Sequence, residues 1–256
     1  AFIIDSQTKD EILSKCTSAY ERVRTTEIIR PILRGRDIKR YSYQYAGLYL
    51  ISTFPAKGYD IDDYPAVKDY LLKFGIERLE QTGKEHIING ERVKARKKTS
   101  NKWYETQDSI SYWDLLSQPK IIWGEISDKS KFCIDLHGRY VPEATTFMLS
   151  GENLIYLLAF LNCSVSEYLF SIIGTTTGVG TVRWKKYKIL ELPVPKSIPN
   201  DLYSQLLEVC SQTIESSDND SNESKINSII YQVYGLSEEE IEFIESKIYP
   251  SKHSSL

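Results

Sequence analysis

Three segments of the sequence join basic side chains with small polar and aromatic residues, a combination that can hold nucleic acid. Lysine and arginine neutralise phosphates, and arginine, asparagine and threonine form hydrogen bonds to base edges. Each basic run also fits a solvated protein face, so the residues alone leave both interpretations open. The candidate binding residues are Arg34, Arg36, Lys39 and Arg40 in segment 30–43, Arg92, Lys94, Arg96, Lys97, Lys98, Asn101 and Lys102 in segment 92–104, and Thr175, Thr176, Thr177, Arg183, Lys185 and Lys186 in segment 174–188.

Patterns that would carry catalysis are missing from the sequence. A nucleotide-binding loop follows a strand, whereas Gly178-Val179-Gly180 follows a predicted helix. A metal-dependent nuclease pairs an aspartate with Glu-x-Lys, but Glu245-Ser246-Lys247 lies in a predicted surface helix. The three histidines and four cysteines have no spacing typical of a metal site or a catalytic triad. We therefore predict no catalytic residue, no metal and no cofactor in this chain.

Short strands and helices are predicted to position the basic segments. Asp63 and Pro65 mark the start of one helix and Gly83 its end. The apolar helix over 152–173 is expected to kink near Asn162. A polar, basic connection is expected over 84–107. Strands are predicted at 45–53, 120–126, 131–135 and 145–149, and helices at 6–22, 62–82 and 152–173.

The character of the chain changes after Pro199. Amphipathic helices are predicted at 200–216 and 223–234, and a third helix is expected to start at a capping box of Ser237 and Glu240. We therefore predict two domains, a mixed one over 1–198 and a C-terminal helical segment over 199–256.

Charge is divided unevenly along the chain. The 256 residues carry a net charge of −3, but residues 200–256 hold eleven acidic and three basic side chains, a net −8 that leaves +5 for the rest. This asymmetry favours a polyanionic partner. The sequence has no apolar run long enough for a membrane helix and no signal peptide, so we expect a cytoplasmic protein with reduced cysteines. The chain begins without methionine, and we expect it to be a piece of a longer protein.

Several short motifs follow one another in a distinctive order. They are the runs 29–41, 49–51 and 64–67, Lys102-Trp103-Tyr104-Glu105, the runs 119–123 and 157–163, Arg183-Trp184, Leu192-Pro193-Val194-Pro195 and the tail 226–241. Each motif is weakly specific, but by their order and spacing the chain resembles the C-terminal target-recognition domain of TaqI-like and Eco57I-like adenine-specific DNA methyltransferases, which include the fused type IIG restriction–modification enzymes.

The resemblance implies a fold and a role. It favours, more than periodicity does, an α+β fold with a twisted, mostly antiparallel sheet or partly open barrel, flanked by helices and followed by a C-terminal helical tail. In such proteins a separate domain binds S-adenosylmethionine and methylates adenine N6, while this domain reads the target sequence. The implied partners are double-stranded DNA and a methyltransferase catalytic domain in cis or in trans, with no membrane. The fragment itself is then no enzyme, and its parent is a site-specific adenine methyltransferase with or without a fused endonuclease.

On this hypothesis the candidate residues divide by task. We expect Lys94, Lys97, Lys98 and Lys186 chiefly to position the DNA backbone. Arginine matches guanine and asparagine matches adenine in bidentate contacts, so base readout is predicted for Arg36, Arg96, Asn101, Thr176 and Arg183.

Two other functions compete with DNA recognition. The acidic C-terminal helices could dock a methyltransferase or translocase subunit, which would make the chain a protein-interaction module with solvated basic segments. A self-contained nuclease or methyltransferase is disfavoured by the missing motifs. Salt-sensitive binding to DNA would separate the first hypothesis from the second.

Overall fold

The computed structural model describes residues 1–176, 181–216 and 220–249, which form two compact units. Unit 1 comprises Ala1–Ile32, Tyr45–Ser117 and Arg139–Val141. Unit 2 comprises Leu33–Gln44, Gln118–Gly138 and the chain from Pro142 onward. Each unit has its own hydrophobic core.

Unit 1 combines a small antiparallel sheet with short helices. Strands β1, β3 and β2 pair antiparallel in that order, and β4 and β5 form a separate hairpin. Ile12, Val67 and Leu71 lie in the core under the sheet. The elements are β1 (Ile3–Asp5), α1 (Ser6–Ser14), α2 (Ala19–Ile28), β2 (Ile29–Leu33), β3 (Leu48–Ile51), α3 (Pro65–Leu72), α4 (Ile76–Leu79), β4 (Glu85–Ile88) and β5 (Glu91–Lys94).

Local caps divide two regions that the sequence predicts as single helices. The helix expected over 6–22 is two helices, because the Ser18 hydroxyl accepts the Glu21 N–H at 3.0 Å and starts α2. The helix expected over 62–82 is interrupted at Gly75, whose φ of +81° is incompatible with a right-handed helix. Pro65 begins α3 as predicted, but Tyr64, and not Asp63, is its N-cap. The connection expected over 84–107 contains the β4–β5 hairpin.

Unit 2 packs a three-stranded antiparallel sheet, in the order β10-β6-β8, against helices. Strand β6 is buried along its whole length. A second small sheet has the order β11-β12-β7. The remaining elements are β6 (Lys120–Gly124), β7 (Ile126–Ser127), β8 (Phe132–Asp135), β9 (Val141–Pro142), β10 (Thr146–Ser150), α5 (Leu154–Asn162), α6 (Ser164–Ile173), β11 (Thr175–Thr176), β12 (Val182–Arg183), α7 (Lys186–Ile189), α8 (Asn200–Glu215), α9 (Asp220–Tyr234) and α10 (Glu238–Ile248).

The predicted kink near Asn162 is confirmed and has a local cause. Helices α5 and α6 meet at 66°, with Cys163 extended between them. The Asn162 amide bonds both backbone groups of Phe132, accepting its N–H at 3.0 Å and donating to its carbonyl at 2.9 Å. This pairing fixes the end of α5 to β8. In the described residues no single helix is long and apolar enough to cross a membrane, and the bent pair α5–α6 meets that criterion only when its two helices are taken together.

The α+β class is confirmed, with antiparallel pairing and no closed barrel among the described strands. The capping box of Ser237 and Glu240 is present at the start of α10. Helix α8 packs on α5, and α10 packs on α6, so the C-terminal helices share the core of unit 2. The division into a recognition domain over 1–198 and a segment over 199–256 remains a functional proposal.

Candidate nucleic-acid interface

A buried tryptophan fixes the direction of two predicted cations in unit 2. The ring of Trp184 is stacked on Phe170 with centroids 4.0 Å apart, and the Trp184 carbonyl accepts the indole N–H of Trp123 at 2.9 Å. Side chains alternate along an extended segment. With Trp184 buried, its neighbours Arg183 and Lys185 are therefore directed away from the core.

Glu125 lies between these two cations. Its carbonyl accepts the backbone N–H of Trp184 at 2.7 Å, which aligns the two backbones. Its carboxylate contacts Lys185 at 2.6 Å and Arg183 at 2.8 Å. The hydrogen bond from Lys185, together with a weaker effect of the one from Arg183, lowers the pKa of Glu125, although desolvation by itself would raise it. The carboxylate is therefore ionised at neutral pH.

An open cleft of about 540 Å³ lies beside this cluster, within unit 2. Two glycines let its walls approach, because a Cβ on Gly124 would lie 3.2 Å from the Cα of Gly35. The cleft brings Arg36 and Lys39 of the first basic segment together with Arg183 of the third. Its lining is Gly35, Arg36, Ile38, Lys39, Gly124, Glu125, Ile126, Ser127, Asp128, Lys131, Thr145, Thr181 and Arg183.

The four basic residues of the first segment divide into two exposed cations and two that hold the loop. Arg36 and Lys39 are exposed, and neither forms an ion pair with a described residue. Arg34 instead makes a bidentate contact with Asp37, at 2.9 and 2.7 Å. This pairing closes the turn that presents Arg36 to the cleft.

Arg40 is directed into unit 2. Its guanidinium contacts Glu223 at 2.8 Å, Glu167 at 2.9 Å and the Ser130 hydroxyl at 2.8 Å, and it also donates to the Asn162 carbonyl. The side chain of Arg40 is only 15% exposed. The structure thus gives Arg40, predicted as a DNA contact, a set of internal partners.

The second basic segment lies in unit 1 and also contains both exposed cations and residues that hold a loop. Arg92, Lys94, Lys97, Lys98 and Lys102 are exposed. Arg92 and Lys94 stand on β5 of the hairpin, opposite Ile87 and Glu85.

Two predicted base readers of this segment hold the loop that follows it. The Arg96 guanidinium donates to the carbonyls of Leu79, Glu105 and Trp103 at 2.7, 2.9 and 2.6 Å, and burial lowers the pKa of Arg96. The Asn101 amide donates to the carbonyls of Thr106 and Gln107 at 3.2 and 2.9 Å.

The rest of the third segment is exposed where it is described. Thr175 and Thr176 form β11, which pairs with β12 so that Thr175 faces Arg183. Lys186 is exposed at the start of α7. Thr177 lies outside the described residues. In the part of the chain that is described, no cluster of histidine, cysteine, aspartate and glutamate side chains is arranged to hold a metal.

Sequence reasoning missed the acidic members of the cleft. Glu125 directly follows strand β6, and Asp128 and Lys131 pair with each other in the turn before β8. The hydrogen bond from Lys131 lowers the pKa of Asp128. A carboxylate at the end of a buried strand is a local signal, but its partner Arg183 lies 58 residues further along the chain. No sequence pattern reveals that contact.

Comparison with known proteins finds one matching family and one similar curated protein. The sequence model of one family, the TaqI-like C-terminal specificity domain, matches residues 30–194. The type II methyltransferase M.BstVI of Geobacillus stearothermophilus is 26% identical over 227 residues, which cover 87% of this chain and 37% of that protein.

Two solved structures are similar to this chain at 11% identity. The type IIL restriction–modification enzyme MmeI, in a complex with DNA, gives a TM-score of 0.57 over 100% of this chain and 34% of that chain. The type IIG restriction endonuclease BpuSI gives a TM-score of 0.44 over 81% of this chain and 26% of that chain. The likeness to MmeI shows a shared fold. The chain spans about a third of the length of M.BstVI and MmeI.

Proposed function

Because the chain belongs to the family of TaqI-like C-terminal specificity domains, we propose that it reads the target sequence in double-stranded DNA for an adenine-N6 methyltransferase or restriction–modification enzyme. The chain supplies recognition, and a separate catalytic domain, in cis or in trans, supplies S-adenosylmethionine binding and methyl transfer. The relation to a type II methyltransferase, matched over 37% of its length, supports this division. A parent of the restriction–modification class would act on DNA in the cytoplasm, with or without a fused endonuclease.

One observation carries the proposal: cations from two distant segments meet at the cleft of unit 2. Arg36 and Lys39 lie in the first segment, and Arg183 lies almost 150 residues later in the chain. We assign Arg36, Lys39 and Arg183 to the DNA contact, and Arg34 and Arg40 to holding the loop. In unit 1 the exposed cations of residues 92–102 add phosphate contacts.

Binding to a random-sequence duplex, measured by fluorescence anisotropy over a range of salt, tests the proposal. Each phosphate contact adds about −0.9 to the slope of log K against log salt. Four to eight contacts therefore give a slope of about −4 to −7. Binding that is absent at low salt, or that does not respond to salt, would contradict the proposal and favour the protein-interaction function.

A pair of double variants locates the contact. Both cations are assigned here to phosphates, Arg36 in place of the base readout that its sequence predicts, so R36Q/K39Q should reduce the steepness of the slope by about 1.8 and weaken binding to every sequence. K225Q/K247Q removes the same charge from the C-terminal helices and should leave the slope unchanged. Equal effects of the two double variants would mean that the protein responds to net charge and that the cleft is not the contact.

A further inference from the structure

We propose that Glu125 is a positioning residue for selectivity: it holds Arg183 and Lys185 back from indiscriminate phosphate contacts and orients Arg183 toward a base. The inference rests on the proposed function and adds to it a role for a carboxylate in a basic interface. A bare pair of cations would bind any phosphate backbone. The structure instead places a negative charge between them.

The geometry of the cluster supports a holding role. Arg183 and Lys185 are two residues apart in an extended segment, and both contact the same Oε1 of Glu125, at 2.8 and 2.6 Å. The side chain of Glu125 is 24% exposed, whereas those of Arg183 and Lys185 are 43% and 32% exposed. The carboxylate is thus better shielded than the cations that it pairs with.

The contact of Arg183 with Glu125 leaves one bidentate edge of the guanidinium free. Glu125 accepts from the Nη1 of Arg183. The other edge of a guanidinium, formed by Nε and Nη2, is the fork that can donate two parallel hydrogen bonds to guanine O6 and N7. The contact at Nη1 restricts the orientations that this fork can take.

A phosphate near Arg183 and Lys185 meets the charge of Glu125 as well, so the net charge of the cluster is +1 and not +2. A base edge carries no such charge, and it gains from a guanidinium already held in place. Because specificity is the difference between two affinities, a residue that weakens nonspecific binding raises specificity even without touching DNA.

The test compares E125Q with wild type on two duplexes by fluorescence anisotropy, one random and one enriched from a randomised pool by the wild-type chain. Releasing both cations should steepen the random-duplex salt slope by up to about 1.8. At 0.1 M salt the random-duplex affinity should rise by up to about 8-fold for each cation that gains a phosphate. The ratio of enriched to random affinity should therefore fall.

The matched control is E152Q, which removes the same charge from an exposed glutamate that does not line the cleft. It should leave both the slope and the affinity ratio at their wild-type values. An E125Q protein that behaves like E152Q overturns the inference. The proposed function is judged separately, by the wild-type slope and by R36Q/K39Q.

A second pair of variants tests the inference even if E125Q alone does not fold. In the R183Q/K185Q background the carboxylate has lost both partners, and the further change E125Q should leave the salt slope unaltered. A steeper slope in that background would show that Glu125 acts as a general negative charge and not through the two cations, and would overturn the inference.

Discussion

Replacing Arg40 separates a structural arginine from a DNA contact. The side chain lies in a basic run, but its guanidinium pairs with Glu167 and Glu223 and also bonds Ser130 and Asn162. These partners belong to different elements of unit 2, so Arg40 joins the loop of the first segment to helices α5, α6 and α9. We expect R40Q to lower stability much more than R36Q.

The magnitude follows from the burial of the pairs. Arg40 is 15% exposed, and its carboxylate partners are 10% and 20% exposed. Removing one member of a buried ion pair leaves an uncompensated charge and costs about 3–5 kcal/mol. In a protein of this size each kcal/mol shifts Tm by about 2–4 °C, so R40Q should lower Tm by roughly 6–20 °C.

Differential scanning calorimetry measures the effect, with R36Q as the control in the same segment. Arg36 is exposed, so R36Q should change the free energy of unfolding by less than about 0.5 kcal/mol. DNA binding at a temperature where both variants are folded completes the comparison. An R40Q protein that keeps the wild-type Tm but loses DNA affinity would show that Arg40 contacts DNA and does not hold the fold.

Three further predictions concern packing, pH and thiol reactivity. G124A should destabilise the protein by about 1–3 kcal/mol in urea unfolding, because its Cβ would lie 3.2 Å from the Gly35 backbone. Burial alone would raise the pKa of Asp37, but the hydrogen bonds from Arg34 outweigh it and hold that pKa below its usual value. The contribution of Asp37 to stability is therefore present above about pH 4 and is lost as the pH falls through the folded pKa. The difference in Tm between D37N and wild type should narrow below that pH. A difference that stays constant would contradict the lowered pKa of Asp37. Cys16 is half-buried and should be the first cysteine to react with a thiol reagent in the native protein. Burial raises the pKa values of the thiols of Cys133, Cys163 and Cys210, that of Cys210 to about 12. Rapid reaction of all four cysteines without denaturant would contradict the buried positions of these three.

Elements whose signals are local could be predicted from the sequence. The capping box at Ser237, the strand predicted over 120–126 and the break near Asn162 depend on neighbouring residues. The structure contains all three, although the strand ends at Gly124. The continuous helix expected over 6–22 is wrong, because helical periodicity continues across the Ser18 cap. Periodicity reports which face is apolar and does not show where the backbone hydrogen bonds stop.

The sequence marks the basic segments of the candidate site but does not show which side chains in them are exposed. Arg36 and Arg40 lie four residues apart in one basic run, yet Arg36 is exposed at the cleft and Arg40 pairs with carboxylates 127 and 183 residues away. Arg96 is likewise held by carbonyls of its own unit. The direction of the Arg40 side chain depends on partners far away in the sequence, and nothing in the local sequence identifies them.

Selection from a randomised duplex pool tests whether the chain recognises a target sequence in DNA. We expect the wild-type chain to enrich one short sequence, and R183Q to relax one position of it at a cost of about 1–3 kcal/mol in affinity for the original duplex. A bound pool as diverse as the starting pool, despite salt-sensitive binding, would contradict target recognition and leave the chain a nonspecific polyanion binder.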